Sequence, residues 1–170
     1  MHWSDRQAVQ QWSKAHPMDL SSLECSESTQ PCFQEIASGI YTGQPWPAEW
    51  HATFSDCVEK RIERATSAGL RLVPPNSMNR YGAILSDLGF EKLTQSIVER
   101  VIEPFAKQAY PEVAACGLDA HHAFVVEYSP DTDDHLSWHV DDAEVTLNLC
   151  LGRVFSGGDL LFRGRRCAWH

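Results

Sequence analysis

Basic residues are scarce in this chain: 14 Lys and Arg stand against 23 Asp and Glu, for a net charge of −9. Nucleic acid and anionic membrane are bound through Lys and Arg clusters that release counterions, so the deficit argues against both partners. The one basic cluster, Arg163 with Arg165 and Arg166, is too short to reverse that balance and reads as a solvated tail. Long apolar runs are missing as well: no stretch approaches the roughly 20 residues that a membrane-spanning helix needs. The opening MHWSDRQAVQQW lacks the basic segment and apolar run of a secretory signal. Cysteine pairs are absent too. The 6 cysteines, at positions 25, 32, 57, 116, 150 and 167, form no CxxC motif, and a chain of this size needs no staples. They are expected to be reduced and mostly structural, which fits a cytoplasmic or nuclear setting.

What is present is enough for one domain with its own core: 170 residues, 43% of them hydrophobic. The first 38 residues include a short helical pattern through Val9 and Trp12, then the polar SSLECSESTQPCFQ, and read as a leader or linker. Residues 39–115 read as a helical support region. There, Phe54, Cys57, Val58, Arg61 and Ile62 recur near helical spacing, with Gly69 as the stop. Leu93, Ile97, Val101 and Ile102 mark a second helix that Pro104 is expected to kink or interrupt. From Ala123 the pattern changes to strands: AFVVEYS is β-branched and aromatic, EVTLNLCL alternates with period two, and DLLF follows a Gly-Gly pair. Helices first and strands afterwards predict an α+β domain rather than βαβ repeats.

Within the strand-like half stands His139-Val140-Asp141. On a strand, residues two apart share a face, so this histidine and aspartate can reach one ion together. A helical zinc site through His135 and His139 lacks the glutamate of HExxH. A serine or cysteine nucleophile lacks its turn, and Cys150 falls inside an apolar strand pattern. A His-Asp general base remains open, although side by side on one strand face the two do not form a relay. A Zn or Mn site for hydrolysis also remains open, because both metals accept these ligands. The geometry best suits the two-histidine, one-carboxylate triad of non-haem Fe(II) oxygenases, which leaves coordination positions free for a 2-oxo acid and O2.

Three motifs extend that reading: PPNSMNRYGAIL, LDAHHAFVVEYSP and HVDDAEVTLNLCLGRVFSGGDLLF. Together they give the stretch from Pro75 to Phe162 a resemblance to the 2-oxoglutarate- and Fe(II)-dependent dioxygenases of the prolyl 4-hydroxylase type. Within these the chain is most similar to the group of 2-oxoglutarate and iron-dependent oxygenase domain-containing protein 2. The resemblance implies helices packed on a double-stranded β-helix, or jelly roll, with residues 116–170 as the first half of its strands. It makes His139 and Asp141 similar to two iron ligands. Tyr128 resembles the phenol that bonds 2-oxoglutarate, and Asn148 an amide lining that pocket. Implied cofactors are Fe(II), 2-oxoglutarate as cosubstrate and L-ascorbate as auxiliary reductant. Implied partners are O2 and a substrate that could be a peptide side chain.

The family's distal histidine, and the later Arg or Lys that pairs with 2-oxoglutarate, have no counterpart before the terminal FRGRRCAWH. His170 lies 29 positions after Asp141 and outside any strand pattern, while His121 and His122 precede the first barrel strand. The expectation is therefore a truncated chain, whose DLLF segment would leave an open sheet edge for self-association. Two functions follow from this: a dioxygenase whose triad is completed elsewhere, or a non-catalytic truncated domain acting as an interaction module.

Overall fold

The computed structural model describes residues 3–24, 33–151 and 155–163. Arg165, Arg166, His170, Cys25, Cys32 and Cys167 lie outside the described residues. The first helix, α1, spans Trp3–Ala15 and turns Val9 and Ser13 inward. Pro17 follows it, and a residue before proline is steered away from helical geometry, which ends the helix at His16. A 3-10 turn at Ser21–Leu23 buries Leu23 completely, and the Leu23 carbonyl accepts the Trp50 indole N–H at 3.0 Å. The segment expected as a leader thus contributes Val9 and Leu23 to the main core.

Helix α2, Ala48–Ser67, is the spine of this core. Its buried residues Trp50, Phe54, Val58, Arg61 and Ala65 fall at steps of three and four along one face. Trp46, just before the helix, stacks on Trp50 with ring centroids 4.5 Å apart. The helix stops where the sequence predicts. Gly69 donates its N–H to Thr66 and Leu70 donates to Ala65, the paired bonds that close a helix through a glycine.

Arg61 is the anomaly in that stripe, a cation only 3% exposed. Among the described residues its guanidinium meets no carboxylate. It donates instead to the Leu88 carbonyl at 2.9 Å, the His16 carbonyl at 2.7 Å, and the Ser13 carbonyl and hydroxyl at 3.1 and 2.8 Å. Trp12 covers the charge, with the guanidinium carbon 4.4 Å from its ring centroid. Burial pushes the Arg61 pKa down, and the positive charge of Arg64 adds to the effect. Gly89 is required beside this fork: at φ +92 it adopts a conformation that side chains avoid, and a Cβ would meet the Ser13 hydroxyl at 2.8 Å. The same turn, 85–89, is gripped from its other side. Buried Asp87 accepts both Arg6 Nε contacts, at 3.0 and 2.9 Å, and Gln10 Nε2 at 2.7 Å.

The second helical run is continuous but changes winding. α3 covers Glu91–Ile97, a π-helical turn covers Val98–Ile102, and α4 covers Glu103–Ala109. Pro104 explains the change. It has no N–H to donate, and its ring would strike a carbonyl one turn back, so the wider turn relieves the clash and lets Glu103 donate to Val98 instead. A short α5, Pro111–Ala114, ends the helical region. The β1–β2 hairpin, Phe33–Ala37 with Ile40–Gly43, docks on this run. Phe33 packs on Phe105 at 4.3 Å, and the Tyr110 hydroxyl donates to the Gly39 carbonyl at 3.0 Å.

A second two-stranded antiparallel sheet pairs β3, Gly82–Ile84, with β4, Phe124–Val126, the centre of the expected AFVVEYS strand. The α+β class holds. The strands expected at EVTLNLCL and DLLF do not form: residues 144–151 and 159–162 carry no regular structure. Strand propensity requires a neighbouring strand to accept its hydrogen bonds, and none lies beside these segments among the described residues. The alternation survives in burial alone, with Leu149 and Leu151 against the core. Cys150, placed inside an apolar strand by its sequence context, is exposed. Cys57, Cys116 and Cys150 are free thiols.

Replacing Arg61 with methionine is expected to destabilise the fold by about 3 kcal/mol, because the Leu88 and Ser13 carbonyls lose their donors inside the core. Arg61→Lys should recover only part of this, since an ammonium cannot span acceptors on both sides. Urea denaturation checks both, and an unchanged midpoint in Arg61→Met would refute the assignment.

Candidate metal and cosubstrate site

The path from the core to the site runs through the turn at 85–89 into β3, across to β4, and on to residues 127–151. Gly82 allows the crossing to be close. At φ +133, a Cβ on it would stand 2.0 Å from the Val125 carbonyl oxygen. Beyond β4 the chain reverses at Ser129–Thr132, and Tyr128 and Asp133 are bridged across the reversal.

This reversal is held by the PNSMN segment. Asn76 accepts the backbone N–H groups of Met78 and Asn79 on its Oδ1, at 2.8 and 2.7 Å, and donates its own amide to Asn79 Oδ1 at 3.0 Å. Asn79 is 2% exposed and donates Nδ2 to the Tyr128 hydroxyl at 3.1 Å. Asp133 Oδ2 accepts the backbone N–H groups of Arg80 and Tyr81 at 2.7 and 3.2 Å. Desolvation raises the Asp133 carboxyl pKa, but these bonds, a further one from the Asn79 side chain and the Arg80 charge together lower it.

His139 and Asp141 come together without a strand beneath them. His139 Nε2 and Asp141 Oδ1 are 3.1 Å apart, while the intervening Val140 points away and is 88% exposed. The proton positions are informative. His139 Nδ1 faces the Ser137 carbonyl at 2.9 Å and must donate to it, which leaves Nε2 as the nitrogen turned towards the carboxylate. Adjacent ligands about 2.1 Å from an octahedral ion lie about 3 Å apart, so the observed separation fits a shared ion. Thr146 donates to Asp141 Oδ2 at 2.7 Å and so turns Oδ1 towards the histidine, the kind of supporting bond that metal ligands use. Among the described residues no group of three His, Cys, Asp or Glu side chains could hold a metal.

The other residues singled out by sequence are dispersed. Tyr128 is half exposed and bonded to Asn79. Asn148 is exposed, and no described hydrogen bond joins it to His139 or Asp141. His121 contacts the Thr94 hydroxyl at 3.0 Å, and His122 lies 3.4 Å from the Pro75 carbonyl, both away from the pair. The helical zinc reading fails because residues 135–139 are not helical, and His135 bonds to Asp134 in the open. Asn76, Asn79 and Asp133 were missed by sequence reasoning. The available signal was a pair of asparagines three apart behind two prolines, which marks a side-chain-capped turn.

A family model, the OGFOD2-like domain, matches residues 8–115, from within α1 to just past α5. The chain belongs to this family. The match ends before Tyr128, His139, Asp141 and Asn148. Among relatives, the 2-oxoglutarate and iron-dependent oxygenase domain-containing protein CP2 of Arabidopsis thaliana is 50% identical over 152 residues, covering 85% of this chain and 38% of its own length. The 2-oxoglutarate and iron-dependent oxygenase domain-containing protein 2 of Homo sapiens is 40% identical over 114 residues, 66% of this chain and 33% of its own. Procollagen-lysine,2-oxoglutarate 5-dioxygenase 1 of Pongo abelii is 26% identical over 172 residues, 98% of this chain and 22% of its own. The chain therefore spans well under half the length of these relatives. No solved structure matches it. The family's oxygenase names agree with the role that the sequence motifs suggest.

The lowered Asp133 carboxyl has a testable consequence. Its bonds stabilise fully above the ordinary aspartate value of about 3.9 and are lost as pH falls through the lower folded value. Urea midpoints measured from about pH 6 to about pH 3 should fall less steeply in Asp133→Asn than in the parent chain. Identical acid limbs would remove Asp133 from the account.

Proposed function

We propose that this chain forms the iron- and 2-oxoglutarate-binding part of a 2-oxoglutarate-dependent oxygenase with a jelly-roll core. The observation that carries the reading is His139 Nε2 turned onto Asp141 Oδ1 at 3.1 Å, with the Nδ1 proton committed to Ser137. An imidazole beside a carboxylate suits Fe(II). Family membership and the names of the relatives support iron and 2-oxoglutarate as the bound groups. When bound, Fe(II) with 2-oxoglutarate and O2 supplies oxidative decarboxylation of the 2-oxo acid to succinate and hydroxylation of a C–H bond.

The part played by these residues is binding and orientation. Ser137 fixes the tautomer and ring direction of His139, and Thr146 fixes the carboxylate of Asp141. The Tyr128 phenol and the Asn148 amide offer hydrogen bonds to the carboxylates of 2-oxoglutarate. The remaining imidazole of the triad has no counterpart among the described residues. A peptide side chain as substrate and L-ascorbate as reductant rest on likeness to the prolyl and lysyl hydroxylases, and an intracellular setting accompanies this reading. A second reading, a non-catalytic interaction module, is favoured by the exposure of Trp138, Phe155, Leu160, Leu161 and Phe162.

Anaerobic Fe(II) titration tests the ligands directly: His139→Ala should weaken uptake about tenfold or more. Equal uptake by both proteins would sink the assignment. Succinate formation from 2-oxoglutarate, measured on the chain extended to the length of its relatives, separates the two functions. Turnover that disappears in His139→Ala supports the oxygenase; silence of the extended chain, with iron and ascorbate supplied, supports the module.

A further inference from the structure

The Asn76, Asn79 and Tyr128 side chains form a one-way series of hydrogen bonds. Its direction follows from its buried end. Two backbone N–H groups, those of Met78 and Asn79, can only donate, so the Asn76 atom they meet is the carbonyl oxygen. The other Asn76 atom is therefore the amide nitrogen, and it donates to Asn79. The receiving Asn79 atom is then its carbonyl oxygen, and the amide nitrogen of Asn79 faces the Tyr128 hydroxyl.

A phenol carries one O–H to donate and lone pairs with which to accept. The amide takes up the accepting side of Tyr128, so its proton must leave in another direction. Asn79 is buried, whereas Tyr128 is 49% exposed, and the free direction is outward. We propose that Asn76 and Asn79 are positioning residues that hold Tyr128 as a hydrogen-bond donor aimed at an anionic carboxylate ligand. A hydroxyl that rotates freely would meet a carboxylate with its lone pairs part of the time, while an oriented one meets it with the proton already in place. The identity of the carboxylate as 2-oxoglutarate rests on the proposed function; the orientation of the hydroxyl does not.

Two variants reverse the series. Asn79→Asp replaces the donor facing Tyr128 with an acceptor, which turns the phenol proton inward. Asn76→Asp keeps the acceptor for both backbone N–H groups but removes the amide, so that Asn79 is drawn to flip and presents its oxygen to Tyr128. The second variant touches neither Tyr128 nor Asp133 and covers the case in which the first fails to fold. The hydroxyl is read by the Raman Fermi doublet of tyrosine, whose intensity ratio distinguishes donating from accepting phenols, isolated for Tyr128 by subtracting the Tyr128→Phe spectrum. The expected result is a shift of the Tyr128 doublet towards strong donation in each folded variant; an unchanged doublet overturns the proposal.

Calorimetric binding of 2-oxoglutarate in the presence of Mn(II) then reads the consequence. Tyr128→Phe and Asn79→Asp should each weaken binding about tenfold, and the double variant should be no weaker than either. Losses that multiply in the double variant would show Asn79 acting elsewhere and overturn the positioning role. A parent chain that binds no 2-oxoglutarate overturns the cosubstrate reading and the carboxylate assignment with it, while the doublet still decides the orientation of the hydroxyl.

Discussion

Most of the fold is organised around a charge that meets no counter-charge among the described residues. The Arg61 guanidinium sits inside the core and is satisfied only by neutral oxygens from the end of α1, the residue after it and the turn at 85–89. Burying a cation in this way is unfavourable unless every donor is met, so the three segments cannot drift apart separately. The Arg6 and Gln10 contacts to Asp87 press the same turn onto α1 from the other side. Because β3 begins where the PNSMN segment ends and runs straight into that turn, the grip on the turn also sets the position of β4 and of Tyr128.

At the far end of this path the logic is reversed. Arg61 is a cation supplied with neutral acceptors, whereas His139 and Asp141 are an imidazole and a carboxylate set directly against each other at 3.1 Å. Their approach is directed by the Ser137 carbonyl and the Thr146 hydroxyl, two small groups within five residues of the pair. The orientation is thus local, which explains how it is kept although residues 139–151 form no strand. The support of the site is graded: a helical base, a short two-stranded sheet, and then a segment whose described ties are the His139–Ser137 and Thr146–Asp141 bonds and the packing of Leu149 and Leu151 on the core.

How much of this could be read from sequence depended on the range of the interaction concerned. The α2 stripe and its glycine stop follow from helical periodicity within one segment, and both appear as expected. Pro104 signalled an interruption, which took the form of a π turn within a continuous run because neighbouring packing at Val98 and Val101 kept the helix together. The EVTLNLCL pattern misled because alternation records which side chains face inward, not whether a partner strand is present. His139 and Asp141 were legible as a spaced pair, but the strand that the spacing argument assumed is absent, and the Ser137 and Thr146 bonds that orient them could not be read from the pattern. Asn79 was not legible, because its value lies in meeting Tyr128, 49 positions later. Val9 and Leu23 were hidden by polar neighbours that suggested a linker.

The Arg61 fork also bears on the order in which the chain assembles. Its acceptors lie 27 and 48 positions away along the sequence, on opposite sides of α2. Closing either loop alone costs chain entropy and leaves part of the guanidinium without partners in a drying interior. α2 can form from local contacts first, with the charge still hydrated. The final loss of that water requires both loops at once, so the arginine acts as a checkpoint that favours simultaneous closure over a half-assembled core.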